Sequence, residues 1–81
     1  MIMRLDLFLS KVGLVKRRTI AKDLADNGII KLNGHTAKAG KEIKIRDIIQ
    51  ISGRRPIAIE IIDIPSGSVK KENREKYFKA V

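Results

Sequence analysis

Lys16-Arg17-Arg18-Thr19-Ile20-Ala21-Lys22-Asp23-Leu24-Ala25-Asp26-Asn27-Gly28 reads as one short helix with an unusual beginning. Ile20, Ala21, Leu24 and Ala25 recur at spacings of one and four and make one apolar face. Gly28 stands where a helix is commonly closed by a residue of positive φ. The N-terminal end of a helix is partly positive, so acids are favoured there. This helix instead opens on three successive cations, Lys16, Arg17 and Arg18. Dipole and side chains point the same sign of field at one place, and a phosphate would resolve the conflict. The alternative is a solvated basic turn.

Upstream, Leu5, Phe8, Leu9 and Val12 have the i, i+3, i+4, i+7 spacing of an amphipathic helix, and Gly13 ends it. Leu14 and Val15 form a short connector, so the two helices should be neighbours. Asp6 lies in the first turn, where an acid is favoured. We read it as structural, able to hold a nearby arginine. Downstream of Gly28 the period becomes two. Ile30 and Leu32 share one face, Ile29 and Lys31 the other. Asn33-Gly34 is a strong type I′ hairpin signal, and His35-Thr36-Ala37 returns from it. Lys38 to Asp47 reads as a polar, basic loop wrapping the sheet edge, interrupted by Ile43 and Ile45. Ile48–Ile51 is a strand, Gly53-Arg54-Arg55-Pro56 a turn, and Ile57, Ile59 and Ile61 mark the last strand. After the breaker cluster Pro65-Ser66-Gly67-Ser68, residues 69–81 read as a loosely held helix anchored by Tyr77 and Phe78 on the sheet. The expected fold is α+β: two N-terminal helices packed on a small twisted, mainly antiparallel sheet, with a short C-terminal helix or tail. Residues 1–64 form the domain and 65–81 the tail.

Eighty-one residues make one domain with a small core. The chain has no cysteine, hence no disulfide and no thiolate metal site. Arg4 and Asp6 interrupt any signal-peptide core, and no apolar run approaches the roughly 20 residues of a membrane span. A cytoplasmic protein is expected. The net charge of +9 is concentrated: residues 1–55 hold 13 Lys/Arg against 5 Asp/Glu, and residues 56–81 hold 5 against 4. A basic surface on the folded body marks a polyanion binder. Nucleic acid is the first candidate and an anionic membrane surface the second.

Catalysis is not expected. The one histidine, His35, sits beside a turn, and no zinc or nucleophile constellation can be assembled without a second histidine or a cysteine. No glycine-rich phosphate loop is present, and no cofactor or metal is expected. The cations instead sketch a binding surface: Arg4 before helix one; Lys16, Arg17, Arg18 and Lys22 on helix two; Lys31, Lys38, Lys41 and Lys44 on and after the hairpin; Arg54 and Arg55 in the far turn. Only Phe8, Tyr77 and Phe78 are aromatic, which disfavours base stacking and favours shape recognition of structured RNA. A helix-turn-helix reading for DNA is weaker, because Ile20-Ala21-Lys22-Asp23-Leu24 offers little to read base edges.

Arg4-Leu5-Asp6-x-Phe8-Leu9, Lys16-Arg17-Arg18-Thr19-x-Ala21 and Asn27-Gly28-x-Ile30-x-Leu32-Asn33-Gly34, in that order, resemble the RNA-binding domain first described in small-subunit ribosomal protein S-four, the alpha-L motif. The resemblance covers residues 3–62. It implies an RNA face at the start of helix two and the adjoining hairpin, carried here by Arg4, Asp6, Lys16, Arg17, Arg18, Thr19, Lys22, Lys31, Asn33, His35 and Lys38. Being nearly all domain, the chain is similar to the stand-alone bacterial RqcP-like group, which also includes a small heat-shock ribosome-binding protein. That resemblance implies binding to large-subunit rRNA and peptidyl-tRNA on a stalled large ribosomal subunit, in support of C-terminal tailing by an RqcH-like factor. Arg4 and Arg18 match the contacting arginines of that group, Asp6 a position that steadies them, and Lys76-Tyr77 a tail motif. A monomer that does not meet membranes is expected. Two departures stand out: Arg46 where the family often has glycine before Asp47, and the Met1-Ile2 extension. The alternatives are a regulator that binds another structured RNA and a basic adaptor that meets DNA or an anionic membrane.

Overall fold

The computed structural model describes residues 2–81; Met1, half of the two-residue extension, lies outside them. Strand β1 (Met3–Arg4) leads directly into helix α1 (Leu5–Lys11), followed by α2 (Arg18–Asp26), β2 (Ile30–Leu32), β3 (His35–Thr36), β4 (Glu42–Ile43), β5 (Ile48–Ile51), β6 (Ile57–Ile61), a 3-10 helix (Lys71–Lys76) and β7 (Phe78–Ala80). Five strands form an antiparallel sheet in the order β3-β2-β5-β6-β7, and β1 and β4 pair separately as a two-stranded ribbon. The α+β architecture is the one the periodicity predicts.

Leu5, Phe8, Leu9 and Val12 are buried, and they meet Ile30, Leu32, Ile49, Ile59 and Ile61 from the sheet. Each such large apolar side chain contributes roughly 1.5–3 kcal/mol on full burial. Helix α2 differs from its sequence reading. Ala21 and Ala25 are buried and Leu24 is half-buried, but Ile20 is 41% exposed. The small residues face α1 and the core, which turns Ile20 outward. The helix also starts later than the three-cation reading supposed. Arg17 is its N-cap, without a side-chain cap bond, and Arg18 its first residue, so Lys16 lies outside.

Helix α2 ends in a Schellman turn. Gly28 takes φ +72°, its N–H donates to the Ala25 carbonyl, and the Ile29 N–H donates to Leu24. The hairpin has positive φ at both central residues, Asn33 (53°) and Gly34 (85°), as a type I′ turn requires.

The segment Lys38–Asp47 is not wholly loop. Glu42–Ile43 pairs with Met3–Arg4, because Ile43 is drawn into the core beside Met3. The last segment is more ordered than a loosely held helix. A 3-10 turn carries the chain back to the sheet, where β7 pairs with β6 in the register Ile61↔Phe78. Tyr77 and Phe78 pack on the core, as read from the sequence.

Candidate nucleic-acid interface

The site is organised by a carboxylate. Asp6 is 2% exposed although charged. The first N–H groups of a helix need acceptors, and here the following loop supplies them: Leu5 N–H donates to the Lys41 carbonyl and Asp6 N–H to that of Ala39. That pairing draws residues 39–41 across the start of α1. The Asp6 side chain then accepts from four donors: Arg4 Nε at 3.2 Å and the Leu7 N–H at 2.8 Å on Oδ1, Arg4 Nη2 and Arg18 Nε at 3.1 Å each on Oδ2. All its acceptor sites are used, which is what allows a buried charge.

The two arginines are only half-covered, at 46% and 47% side-chain exposure. Asp6 therefore neutralises one of two charges and aims both guanidinium groups outward from a fixed base. Gly40 lies beneath Arg4. A Cβ there would sit 3.5 Å from Nη2, an ordinary van der Waals contact, so a methyl group would fit between the loop and the arginine. From Arg4 a groove runs between the last turns of α2 and the segment 36–40, lined by the cations Arg4, Lys22 and Lys38 and by the small residues Ala25, Gly28, Ala37, Ala39 and Gly40. A second hollow adjoins the same segment, lined by Leu32, His35, Ala37, Lys38 and Lys41 among others.

The structure thus gathers Arg4, Asp6, Arg18, Lys22 and Lys38. Arg17 and Thr19 are exposed beside Arg18 at the start of α2, and Lys16 is exposed at the corner before it. His35 is exposed on edge strand β3. Lys31 stands apart. Its neighbours Ile30 and Leu32 point into the core, so Lys31 projects from the opposite face of the sheet, in register with Gln50 and Thr36. Asn33 is exposed, but its amide is engaged with protein: Nδ2 donates to Asp47 Oδ1 and Oδ1 accepts from Ile48 N–H. Asp47 Oδ2 in turn accepts from Lys44 N–H. This clip fixes the 44–48 loop and holds Arg46 at φ +78°, at the position where the resemblance leads one to expect glycine.

Sequence reading did not single out Asp26, Thr36 or Gly40 for the groove, all of which line it. No local spacing announces them, because they meet only when α2 and the 36–40 segment come together. Among the described residues no helix is long and apolar enough to cross a membrane.

A helix pair on a twisted antiparallel sheet, with paired arginines at the helix start and cations along one groove, defines a small α+β module with an anion-facing side. The family model described as the S4 domain matches residues 3–49. Two relatives share the name RQC P-site tRNA stabilizing factor. The one from Streptococcus pneumoniae is 35% identical over 98% of this chain and 90% of its own length. The one from Helicobacter pylori (strain 26695) is 46% identical over 79% of this chain and 77% of its own. The trimeric structure of Vibrio cholerae heat shock protein 15 superposes with a TM-score of 0.93 over all of this chain and 83% of that one, at 23% identity, a likeness of fold. The chain belongs to the S4-domain family, in the group whose members bear the name RQC P-site tRNA stabilizing factor.

Proposed function

We propose that this protein binds structured RNA on the large ribosomal subunit, touching rRNA and the tRNA of a stalled nascent chain, and so supports ribosome-associated quality control. The observation that carries the reading is the Asp6-held pair Arg4 and Arg18. A buried carboxylate that spends itself on two half-exposed guanidiniums builds a fixed, two-pronged phosphate contact, whereas free surface cations would be mobile. The relatives' shared name supports the tRNA and quality-control parts. In this reading Arg4 and Arg18 make the oriented contacts, while Lys16, Arg17, Lys22 and Lys38 supply salt-sensitive attraction. The protein acts by binding, as a monomer in the cytoplasm, with any tailing chemistry left to an RqcH-like partner.

Co-sedimentation with purified large subunits, with and without peptidyl-tRNA, at near-physiological salt tests this. Wild type should pellet with the tRNA-bearing subunit, Arg18→Ala should not, and the exposed control Lys79→Ala should behave as wild type. Equal pelleting of wild type and Arg18→Ala, or of neither, refutes the assignment and directs the search to other structured RNAs.

A further inference from the structure

The groove between α2 and the 36–40 segment contains one acid, Asp26, among the cations Arg4, Lys22 and Lys38. Nothing in the fold calls for it. Asp26 is the last residue of α2, where the helix dipole disfavours a negative charge, and that last turn holds no basic residue. It is exposed, and among the described residues no cation lies within ion-pair distance of it, Lys22 one turn earlier included. Against phosphate it is counterproductive, since it weakens the field the three cations create.

A carboxylate can only accept hydrogen bonds. Phosphate oxygens also only accept, so whatever lies against Asp26 in the bound state must be a donor. Apart from Thr36, the uncharged lining beside it is Ala25, Gly28, Ala37, Ala39 and Gly40, small residues that let a sugar edge approach closely. A-form RNA has a shallow minor groove lined with 2′-hydroxyls, the donors that distinguish RNA from DNA. Cations alone hold any polyanion, because phosphate contacts carry no information about what lies between the phosphates.

We propose that Asp26 is a specificity-determining residue that accepts a hydrogen bond from a ribose 2′-hydroxyl while Arg4, Lys22 and Lys38 hold the flanking phosphates. The inference rests on the RNA-binding reading above and adds to it the group by which RNA is recognised.

The probes are a synthetic RNA hairpin with an A-form stem and the same hairpin carrying 2′-fluoro in place of 2′-hydroxyl throughout the stem. Fluorine preserves helix form, size and phosphate charge and removes the donor. Fluorescence anisotropy is read with wild type, Asp26→Ala and Asp26→Asn, their folds checked by circular dichroism. Wild type should prefer the 2′-hydroxyl hairpin by about fivefold, the worth of one net hydrogen bond. Asp26→Ala should bind the fluoro hairpin at least as tightly as wild type and lose the preference. Asp26→Asn, which keeps an acceptor oxygen without the charge, should keep part of it. Equal binding of both hairpins by wild type overturns the role of Asp26 and leaves the RNA reading standing, as does a preference that survives in Asp26→Ala. Binding of neither hairpin at low salt overturns the RNA reading, and this proposal with it.

Discussion

Replacing Asp6 by asparagine separates the charge of the site from its geometry. The two side chains have nearly the same shape, so the 2%-exposed pocket around residue 6 should not collapse. What changes is the bonding. The carboxylate accepts three guanidinium bonds at 3.1–3.2 Å and one backbone bond at 2.8 Å. Asparagine keeps one acceptor oxygen, and its NH2 must face donors. Hydrogen bonds to charged groups contribute roughly 1.5–3 kcal/mol each when well buried. Here both guanidiniums are nearly half-exposed and can turn to water, which lowers the worth of their bonds towards that of surface pairs. A total loss of about 1–3 kcal/mol is expected, read as a lower urea midpoint at unchanged slope. Meanwhile the local charge rises from +1 to +2, as two guanidiniums lose their one carboxylate. Pure electrostatics therefore predicts tighter RNA binding by Asp6→Asn, and pre-organisation predicts weaker. We expect binding to tRNA-bearing large subunits to fall about tenfold, the worth of roughly 1.4 kcal/mol, with binding to a random RNA duplex unchanged or tighter. Subunit binding equal to or tighter than wild type, at an unfolding free energy within about 0.5 kcal/mol of it, would refute the claim that Asp6 orients the arginines.

Three other perturbations follow from backbone geometry. Arg46→Gly relieves a left-handed φ of +78°, worth about 1–2 kcal/mol, against about 0.5–1 kcal/mol of added chain entropy in the unfolded state; a net gain of up to about 1 kcal/mol is expected in urea unfolding, with Arg46→Ala close to neutral. Gly13→Ala should cost about 1–2 kcal/mol, because Gly13 sits at φ +75°; a Cβ there would also lie 2.5 Å from the Arg74 guanidinium, but that is the far end of a flexible side chain and can turn aside, so adding Arg74→Ala should recover little, a small coupling readable in a double-mutant cycle. Removing residues 77–81 strips β7 from β6 and Phe78 from the core, so it should cost about 2–4 kcal/mol and speed amide exchange along Ile57–Ile61.

The parts legible in the sequence are those set by local rules. The heptad-like spacing of Leu5, Phe8, Leu9 and Val12 names the buried face of α1 because a helix's own period decides it. Ile30 and Leu32 go inward and Lys31 outward for the same reason in a strand. Asn33-Gly34 fixes its turn because both residues tolerate positive φ. The errors fall where a distant partner decides. Ile20 belongs to the apolar stripe by spacing, yet it lies exposed because the buried side of α2 is the alanine side. Glu42–Ile43 becomes a strand only because Met3–Arg4 lies alongside. Residues 78–80 become an edge strand because β6 has an open side, which outweighs the helix preference of the charged run before it.

The candidate site divides along the same line. Arg4, Arg18 and Lys22 are visible as cations near helix starts, but a list of cations cannot rank them. Lys31 is as basic as Lys22 and faces the other side of the sheet. Asn33 lies in the motif and is engaged in a loop clip. The ranking comes from Asp6, and Asp6 acts only because carbonyls from residues 39 and 41 meet the first N–H groups of α1. Those two bonds bring Lys38 to the groove, set Gly40 under Arg4 and bury the carboxylate that holds Arg18 across twelve residues of chain. The basic face is thus a consequence of how one short helix, whose N-cap Arg4 makes no side-chain cap bond, has its free N–H groups satisfied.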